Sequence, residues 1–540
     1  MNKIIGFSVT RAPTKAVLPP WLHKYPQLKT SQLSRNGWNI CFWGHGDFAE
    51  FATSQGFVVG YSDTELKVLS YTPLQNRGVL ISTSPNRVTI TNDAFGMLPV
   101  FYGSSQGIPH ISSCEECVMI GIGKVTLGSA RLVSYLLHRS AVGTATLWNE
   151  IDKLYANRVL ISTVTGGFTQ KNQDPLQPVS IPPNKAISIM ANLHKRVIRR
   201  YTDLLGDVYL PLSCGHDSRL ILTNMARPER IHARTYTSSW PYSRSQEILI
   251  ARASAERVGV ADHSILDFVG QTYAPYCRPQ LEYAGTPLTN IQAYLYGAAA
   301  MMGREGNYDW PVISGSCGDI LAGVGVVHVL DKLRLGLPPH LQFRMACHNR
   351  GSHSWSNKAL SHGLAFNHQA AIERLYPMWA DLWHATEFKE PTARCDLIRV
   401  RNRGSQYIAY AWAATDLWNG YVAPFTDREY ITTMLSMPVP IRHSRSGQLQ
   451  YMHQYFPKVF PNAGVSCTAY DISNTLNKTS VCADAVWPLL ADGSKPAHNF
   501  FRPTEISAMH YRGLTGDMES FFWLRSLQPI AWAIDKGYVK

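Results

Sequence analysis

The stretch from Val208 to Ala226, VYLPLSCGHDSRLILTNMA, constrains the fold more than any other. Its first residues are large and apolar, as a buried strand requires, and apolar residues return at helical spacing after Asp217. The turn between them contains Gly215, whose backbone can adopt angles that other residues avoid. We therefore expect a helix that begins beside a polar turn with its first amides unpaired, and such an end attracts anions.

The side chains of this turn suit a phosphate group held with a metal ion. Ser213 and Ser218 add hydroxyl donors beside the free amides, and Asp217 adds a carboxylate. A carboxylate repels a bare phosphate, so its presence makes sense mainly if Mg²⁺ lies between the two. The alternative is an ordinary turn in which Asp217 and Ser218 only cap the helix.

The size and composition of the chain indicate a globular protein of several domains. Its 540 residues exceed what one hydrophobic core usually covers. Hydrophobic residues make up 45% and charged residues 16%, which argues against long disordered tails. The N-terminus, MNKIIGFSVTRAPTK, lacks an apolar signal core, and no apolar run is long enough to span a membrane. We expect a cytoplasmic protein without a membrane segment.

The ten cysteines are scattered along the chain, which fits reduced thiols. The single CxxC, at Cys114 and Cys117, has no second pair to complete a zinc site, so we interpret it as structural.

A formal net charge of +13 would suit a nucleic-acid partner, but the basic residues are dispersed apart from a cluster at 194–200. That cluster falls on a predicted helix over 185–205, whose arginines we assign to its solvated face. A basic surface equally attracts nucleotides or an acidic substrate. We do not expect a nucleic-acid partner, and an RNA-binding enzyme is the less favoured interpretation.

The first third of the chain predicts a mainly β domain over residues 1–170, with short β-type runs at 57–59, 79–82 and 88–90. The segment TNDAFGMLPVFY, residues 91–102, resembles the RDxFGxxPLYY segment of glutamine-hydrolysing amidotransferase domains. The resemblance implies a glutaminase-like sandwich of the Ntn type. The family's nucleophile is an N-terminal cysteine, whereas residue 2 here is Asn2. We therefore expect this domain to be inactive and to release no ammonia from glutamine.

The second region, residues 185–540, contains the turn described above, which resembles the SGGxDS loop of the asparagine synthetase family of ATP pyrophosphatases. Cys214 stands where the family has its first glycine. Strands and helices alternate along this region, with a strand at 231–237, a helix at 245–258 and a strand at 263–268. This alternation predicts a doubly wound parallel sheet, followed by a helical C-terminal part. The resemblance implies that ATP binds at the turn, with Tyr236 at the end of the next strand near the adenine.

A second turn supports this interpretation. The segment PVISGSCGDILAG, residues 311–323, resembles the family's SGEGxDExFGG segment. The resemblance places Gly315 against the nucleotide and gives Asp319 the role of holding magnesium and pyrophosphate. Asp217 and Asp319 at adjacent strand ends would suit a hard cation that bridges triphosphate oxygens. The alternative at both turns is helix capping.

The same segment departs from the family at two positions. Ser316 stands where asparagine synthetases have a glutamate, β-lactam-forming relatives a tyrosine and lasso-peptide cyclases often a histidine, and serine is a poor base at neutral pH. Cys317 replaces a glycine. The family's late catalytic lysine, which steadies pyrophosphate, has two candidates, Lys458 and Lys478, of which we choose Lys458.

The resemblance implies an ATP-dependent and Mg²⁺-dependent carbon–nitrogen ligase that adenylates a carboxylate and passes the acyl group to an amine, releasing AMP. The expected substrates are a small-molecule or peptide carboxylate and an amine. The favoured context is natural-product or peptide maturation such as lasso-peptide closure, with a leader-peptide-binding protein or a protease as partner. The alternatives are amidation of a surface-polysaccharide sugar acid and a nucleotide-binding scaffold without catalysis.

Overall fold

The protein is described here by a computed structural model. It describes residues 3–46, 52–53, 56–61, 77–138, 140, 142–237, 245–267, 274–285, 293–323, 336–347, 355–408, 413–460, 490, 495–514, 517, 520, 523–524 and 526–540. The strands are β1 Lys3–Arg11, β2 Lys29–Arg35, β3 Trp38–His45, β4 Ala52–Thr53, β5 Gly56–Tyr61, β6 Val79–Ser84, β7 Arg87–Asn92, β8 Phe101–Ser105, β9 Ile108–Ser112, β10 Asp152–Lys153, β11 Arg158–Thr163, β12 Phe168–Asn172, β13 Val208–Pro211, β14 Ile231–Thr237, β15 Asp262–Asp267, β16 Val312–Ile313 and β17 Tyr421–Val422.

The helices follow the same chain order. They are α1 Glu115–Ile122, α2 Ser129–His138, α3 Ala186–Leu205, α4 His216–Asn224, α5 Gln246–Val258, α6 Ala274–Ala284, α7 Ala293–Arg304, α8 Gly318–Leu321, α9 Pro339–Cys347, α10 Asn357–Gly363, α11 His368–Glu373, α12 Tyr376–His384, α13 Pro391–Arg399, α14 Arg428–Leu435, α15 Val439–Arg442, α16 Ser446–Tyr455, α17 Lys495–His498, α18 Pro503–Leu514 and α19 Gln528–Asp535. A π-helix, Val400–Ile408, continues α13, and 3₁₀ turns lie at Pro20–Lys24, Pro183–Lys185, Pro228–Arg230, Ala413–Leu417, Pro424–Thr426 and His443–Arg445.

The first twelve strands pair into one antiparallel sheet in the order β10-β8-β9-β1-β5-β6-β7-β11-β12, with β2 and β3 added beside β1 and with β4 beside β5. Alternate residues of its two halves meet in one apolar cluster, for example Phe7 and Phe42 from one half with Ile81 and Ile90 from the other. Because side chains alternate between the faces of a strand, the two halves bury their inner faces against each other. The predicted mainly β character of this region is confirmed, and the predicted runs at 57–59, 79–82 and 88–90 lie in β5, β6 and β7.

The later strands form a five-stranded sheet in the order β15-β14-β13-β16-β17, and every pairing in it is parallel. The chain adds β14 and β15 on one side of β13 and then β16 and β17 on the other. The order therefore reverses between β13 and β16, which is the place where open parallel sheets bind ligands. The predicted strand at 231–237 and the predicted helix at 245–258 are confirmed as β14 and α5.

The predicted helix over 185–205 is confirmed as α3, and two of its arginines reach charged partners. Arg200 bonds to the Asp427 carboxylate at 2.9 Å, and Arg196 bonds to Glu429 at 3.0 Å. His194 belongs to the same basic cluster in the sequence but is fully buried. Its Nδ1 donates to the Met190 carbonyl at 2.8 Å, and its Nε2 accepts from the Tyr430 hydroxyl at 3.0 Å.

This buried histidine makes stability depend on pH. Burial lowers the pKa of His194 to about 4, whereas an unfolded chain titrates its histidines near 6.5. As pH falls below about 6.5, the unfolded state takes up the proton first, so the stabilisation that is complete above this pH is lost progressively towards pH 4. We expect the titration of His194 to lower the free energy of unfolding by about 2.5 kcal/mol between pH 7 and pH 4.5.

Urea unfolding at a series of pH values would measure this slope. His194→Gln should start less stable at pH 7 and lose less on acidification, whereas the exposed His453→Gln on α16 should keep the wild-type slope. An unchanged slope in His194→Gln would assign the acid sensitivity to other groups.

A buried charge cluster joins the antiparallel sheet to the second region. Asp416 has no exposed side-chain surface, and its carboxylate binds Lys3 of β1 at 2.5 Å and also Arg77. Lys3 donates in addition to the Tyr421 carbonyl at 3.1 Å, and His45 of β3 bonds to the Asp416 carbonyl at 2.7 Å. Three parts of the first sheet region thus converge on one 3₁₀ turn of the second.

Among the described residues, no helix is both long enough and apolar enough to cross a bilayer. Seven cysteines in the described part of the chain form no disulfide and are buried; they are Cys41, Cys114, Cys117, Cys214, Cys317, Cys347 and Cys395.

Candidate active site

Two strand-to-helix turns lie side by side at one edge of the parallel sheet. The first, residues 213–218, joins β13 to α4, and the second, residues 314–319, joins β16 to α8. The two strands pair in parallel through Tyr209 and Val312. Their carboxyl ends therefore point the same way, and both turns face the point where the strand order reverses.

Asp217 of the first turn packs directly on glycines of the second. A Cβ atom on Gly315 would come within 2.8 Å of the Asp217 Cβ atom, and one on Gly318 within 2.6 Å of the Asp217 Cγ atom. No other residue type fits at these contacts without displacing the carboxylate. The glycines thus bring the two predicted turns into one site.

Asp217 and Asp319 are close enough to influence each other electrostatically. Burial raises the pKa of Asp217, Arg445 opposes this shift, and the neighbouring Asp319 adds to it. A positive charge between the two carboxylates would relieve their repulsion. They fit Mg²⁺, because this ion binds proteins through one or two carboxylates and takes further oxygens from water and phosphate.

Arg445 is the cation that contacts Asp217 from a distant part of the chain. Its Nη1 lies 3.0 Å from the Asp217 Oδ1 and 3.2 Å from the Gln448 Oε1. Ser444 and Arg445 both have left-handed backbone angles, with φ of 52° and 64°, which few residues other than glycine adopt. The Arg445 amide donates to the Ala322 carbonyl at the end of α8 at 3.0 Å. A strained turn anchored on α8 thus presents Arg445 to the site.

The first turn is held by its own hydroxyl groups. Ser213 Oγ and Ser218 Oγ lie 2.8 Å apart, and Ser213 Oγ also accepts from the Gly215 amide at 3.1 Å. Gly215 is the N-cap of α4, and no side-chain bond of that residue caps the helix; the same holds for Cys317 at α8. Ser218 Oγ also accepts from the Ser213 amide at 3.1 Å, so this hydroxyl closes the turn before α4.

Cys214, which replaces the family's first glycine, does not fill the mouth of this turn. Its side chain is fully buried, and both its amide and its thiol donate to the Glu247 carboxylate at 3.0 Å. Glu247 lies in the first turn of α5. The exchange of glycine for cysteine thus adds a thiol contact between the turn and α5.

Cys317 also takes a structural position. It has a left-handed backbone, with φ of 72°, and its sulfur packs against the π-helix, where a Cβ atom on Gly404 would come within 2.8 Å of it. Burial, followed by the carboxylates of Asp319 and Asp217, raises the pKa of the Cys317 thiol well above its ordinary value. The thiol stays protonated at neutral pH and is no nucleophile.

The contact between Cys317 and Gly404 gives a matched stability test. Gly404→Ala should cost about 1–3 kcal/mol, because the added methyl group collides with the Cys317 sulfur. Cys317→Gly removes the sulfur and relieves the left-handed strain, which costs about 1–2 kcal/mol in residues other than glycine.

The double variant should consequently be more stable than Gly404→Ala alone. Denaturant unfolding of the four proteins measures the coupling. Additive losses would show that the two positions do not contact each other.

Ser316, at the family's base position, belongs to a chain of hydroxyl groups. Its Oγ lies 2.9 Å from the Ser314 Oγ and accepts from the Tyr421 hydroxyl at 2.7 Å. Burial raises the pKa of Tyr421 well above the ordinary tyrosine value. None of the three hydroxyl groups is therefore a base at neutral pH.

The comparisons with known proteins bear on this arrangement. Residues 205–465 match the sequence model of the asparagine synthase family, and this range contains both turns and Arg445. This region is an asparagine synthase domain. The match supports an ATP-dependent, amide-forming ligase as the general activity.

Two other comparisons add little to the family assignment. No curated protein matches the chain. A solved structure described as glutamine phosphoribosylpyrophosphate amidotransferase from B. subtilis, complexed with ADP and GMP, is similar over 48% of this chain and 90% of its own, with 10% identity and a TM-score of 0.21.

Within the asparagine synthase domain, the structure brings together most of the residues chosen from the sequence. Ser213, Gly215, Asp217 and Ser218 share one turn, and Gly315 and Asp319 lie on the turn beside it.

Tyr236 lies at the end of β14, next to β13, and packs against an apolar cluster. Lys458 lies on an exposed turn after α16, and no described hydrogen bond or ion pair joins it to Asp217 or Asp319. Its role therefore stays a prediction, and Lys478 lies outside the described residues, as does Asn2.

Arg445 and Glu247 were not chosen from the sequence. Arg445 lies 228 positions from Asp217 in a short polar stretch without a local motif. Glu247 lies in the predicted helix at 245–258, without a local motif. Neither residue carries a sequence signal that marks it as part of the site.

Proposed function

We propose that the protein adenylates a carboxylate with ATP, releases pyrophosphate, and transfers the acyl group to an amine with release of AMP. The observation that carries this proposal is the meeting of Asp217 and Asp319 on adjacent strand ends where the sheet order reverses. The asparagine synthase domain that contains both residues supports it.

The reaction has two balanced steps. An oxygen of the substrate carboxylate bonds to the α-phosphorus of ATP while the bond from that phosphorus to the β-phosphate oxygen breaks, and pyrophosphate leaves. The amine nitrogen then bonds to the acyl carbon, the bond from this carbon to the AMP oxygen breaks, and the amine loses a proton. Holding the amine beside the acyl-adenylate removes much of the entropic barrier to the second step.

Residues of the two turns would bind the triphosphate. The first amides of α4 and the hydroxyls of Ser213 and Ser218 donate to phosphate oxygens. Asp217 and Asp319 would hold Mg²⁺, which when bound neutralises part of the phosphate charge. Arg445, already 3.0 Å from Asp217, supplies a further positive charge beside the leaving pyrophosphate.

The amine loses its proton without help from Ser316, because that hydroxyl accepts from Tyr421 and is no base at neutral pH. We therefore propose that the amine enters the site uncharged, or that a group of the substrate takes its proton. The acceptor then differs from the one that the glutamate-bearing relatives use.

The source of the amine follows from the N-terminal region. An asparagine at position 2 has no thiol to attack glutamine, so we propose that the chain lacks its own glutaminase. The amine is then free ammonia, a second substrate or an amino group of the same molecule. Macrolactam closure of a lasso peptide is the case we favour, with a leader-peptide-binding protein or a protease as partner. Amidation of a sugar acid is the alternative.

Product analysis tests the proposal directly. The full chain, supplied with ATP and Mg²⁺, is offered three substrate sets: linear peptides with an acidic side chain and a free N-terminus, uronic acids with ammonia, and glutamine alone. We expect AMP and pyrophosphate in equal amounts with one of the first two sets, and no ammonia from glutamine. ADP and phosphate as products would refute adenylation, and ATP binding without turnover on either set would favour the scaffold.

A further inference from the structure

Cys114 and Cys117 occupy the start of α1 in a geometry that suits a disulfide. Cys114 is the N-cap residue, and the Cys117 amide donates to the Cys114 carbonyl at 3.2 Å, which closes a tight turn. Burial, followed by the neighbouring Cys114 thiol, raises the pKa of the Cys117 thiol, so the two side chains lie close together. Residues three apart in such a turn lie within the Cα separation that a disulfide requires, so little backbone movement is needed.

The two cysteines differ in their position relative to a neighbouring cavity. Cys114 lines a cavity together with Ser113, Arg77 and Trp21, and with Tyr283 of α6. Cys117 is not among the described residues that line it, and 1% of its surface is exposed. A small oxidant that enters this cavity therefore meets Cys114 before Cys117.

The pair lies among charged groups. Glu115 and Glu116 occupy the first turn of α1, and Arg77 lines the cavity beside Cys114. The Glu116 carboxylate accepts from the Tyr538 hydroxyl at 2.8 Å. Burial raises the pKa of the Cys117 thiol, so this residue keeps its proton until a partner sulfur is activated.

We propose that Cys114 and Cys117 are a modification site that hydrogen peroxide converts into a reversible disulfide. The Cys114 thiolate attacks one peroxide oxygen, the O–O bond breaks, and Cys114 becomes a sulfenic acid as hydroxide leaves. The Cys117 sulfur then attacks the Cys114 sulfur, the S–O bond breaks, and water leaves with the Cys117 proton. The net reaction converts two thiols and one peroxide into one disulfide and two waters. This inference does not rest on the proposed ligase activity.

Tryptic peptide mapping tests the site, because the peptide 88–124 contains these two cysteines and no others. The reduced full chain is freed of reductant, treated with peroxide in its native state, and then alkylated under denaturing conditions. We expect the peptide to lose two hydrogens and to carry no alkyl group, and dithiothreitol should restore two alkylation sites.

Variants identify the two roles. Cys114→Ser should give no product on this peptide, whereas Cys117→Ser should leave a sulfenic acid at Cys114 that dimedone traps. Cys41→Ser is the matched control, since Cys41 is a buried cysteine on β3, and it should keep the disulfide. Circular dichroism melts establish that each variant is folded, and Ala replaces Ser where it is not.

Two outcomes would overturn the inference. One is complete alkylation of both cysteines in the wild type after peroxide treatment. The other is a disulfide that links either residue to a cysteine outside the peptide.

Discussion

Asp217→Asn is expected to lower kcat/KM for AMP formation by a factor on the order of 10³, because it removes the charge that holds Mg²⁺ and the triphosphate. The substitution keeps the side-chain shape against Gly315 and Gly318, where a Cβ atom would come within 2.8 and 2.6 Å of Asp217 atoms. Asp217→Ala should lose as much activity and also leave Arg445 without its carboxylate partner.

Comparing the two variants distinguishes the effect of losing the Asp217 charge from the effect of losing its packing. Equal losses in Asp217→Asn and Asp217→Ala would assign the effect to charge, and titration calorimetry with Mg²⁺ and ATP should show weakened binding in both. Asp203→Ala, an exposed carboxylate on α3, is the matched control and should behave as the wild type. Turnover of Asp217→Asn within tenfold of the wild type would refute the proposed role.

The largest expected effect on stability comes from Asp416→Ala, which should cost about 3–5 kcal/mol because it leaves two buried cations without a counterion. Lys3 and Arg77 have side-chain exposures of 2% and 7%, so water cannot replace the carboxylate. Burial lowers the pKa of Lys3 to about 8, against the opposing effect of Asp416, so loss of Asp416 would favour the neutral amine further.

Urea unfolding and limited proteolysis would measure this effect, since the cluster joins the antiparallel sheet to the second region. Asp416→Asn should be less destabilising, and Asp203→Ala should be neutral. Arg77 and Lys3 hold the pKa of Asp416 below its usual range although burial opposes them. The contribution of these ion pairs to the free energy of unfolding should therefore persist above about pH 4. It should decline only as the pH falls through the lowered pKa of Asp416. A loss under 1 kcal/mol would show that the chain rearranges to solvate the two cations.

Local sequence patterns were sufficient to predict several elements of this fold. Apolar runs, small-residue turns and helical spacing predicted β13, α4, β14, α5 and α3. The periodicities of strands and helices can be recognised within about a dozen neighbouring residues. The same turns predicted that Asp217 and Asp319 share a site, since parallel strands end at the same edge of a sheet.

Other interpretations changed because burial has no reliable local signature. His194 sits in a basic cluster in the sequence, yet it is fully buried against Tyr430. Cys214 and Cys317 stood out as departures from two phosphate-facing turns, and their sulfurs instead contact Glu247 and the π-helix near Gly404.

The distant groups that complete the site and join the two regions come together through the packing of the fold. Arg445 reaches Asp217 across 228 positions, and Lys3 reaches Asp416 across 413. Contacts of this kind depend on how strands and helices pack, so neither partner needs a recognisable neighbouring sequence. Local periodicity determined the elements and two carboxylates, whereas packing determined the charges that surround them.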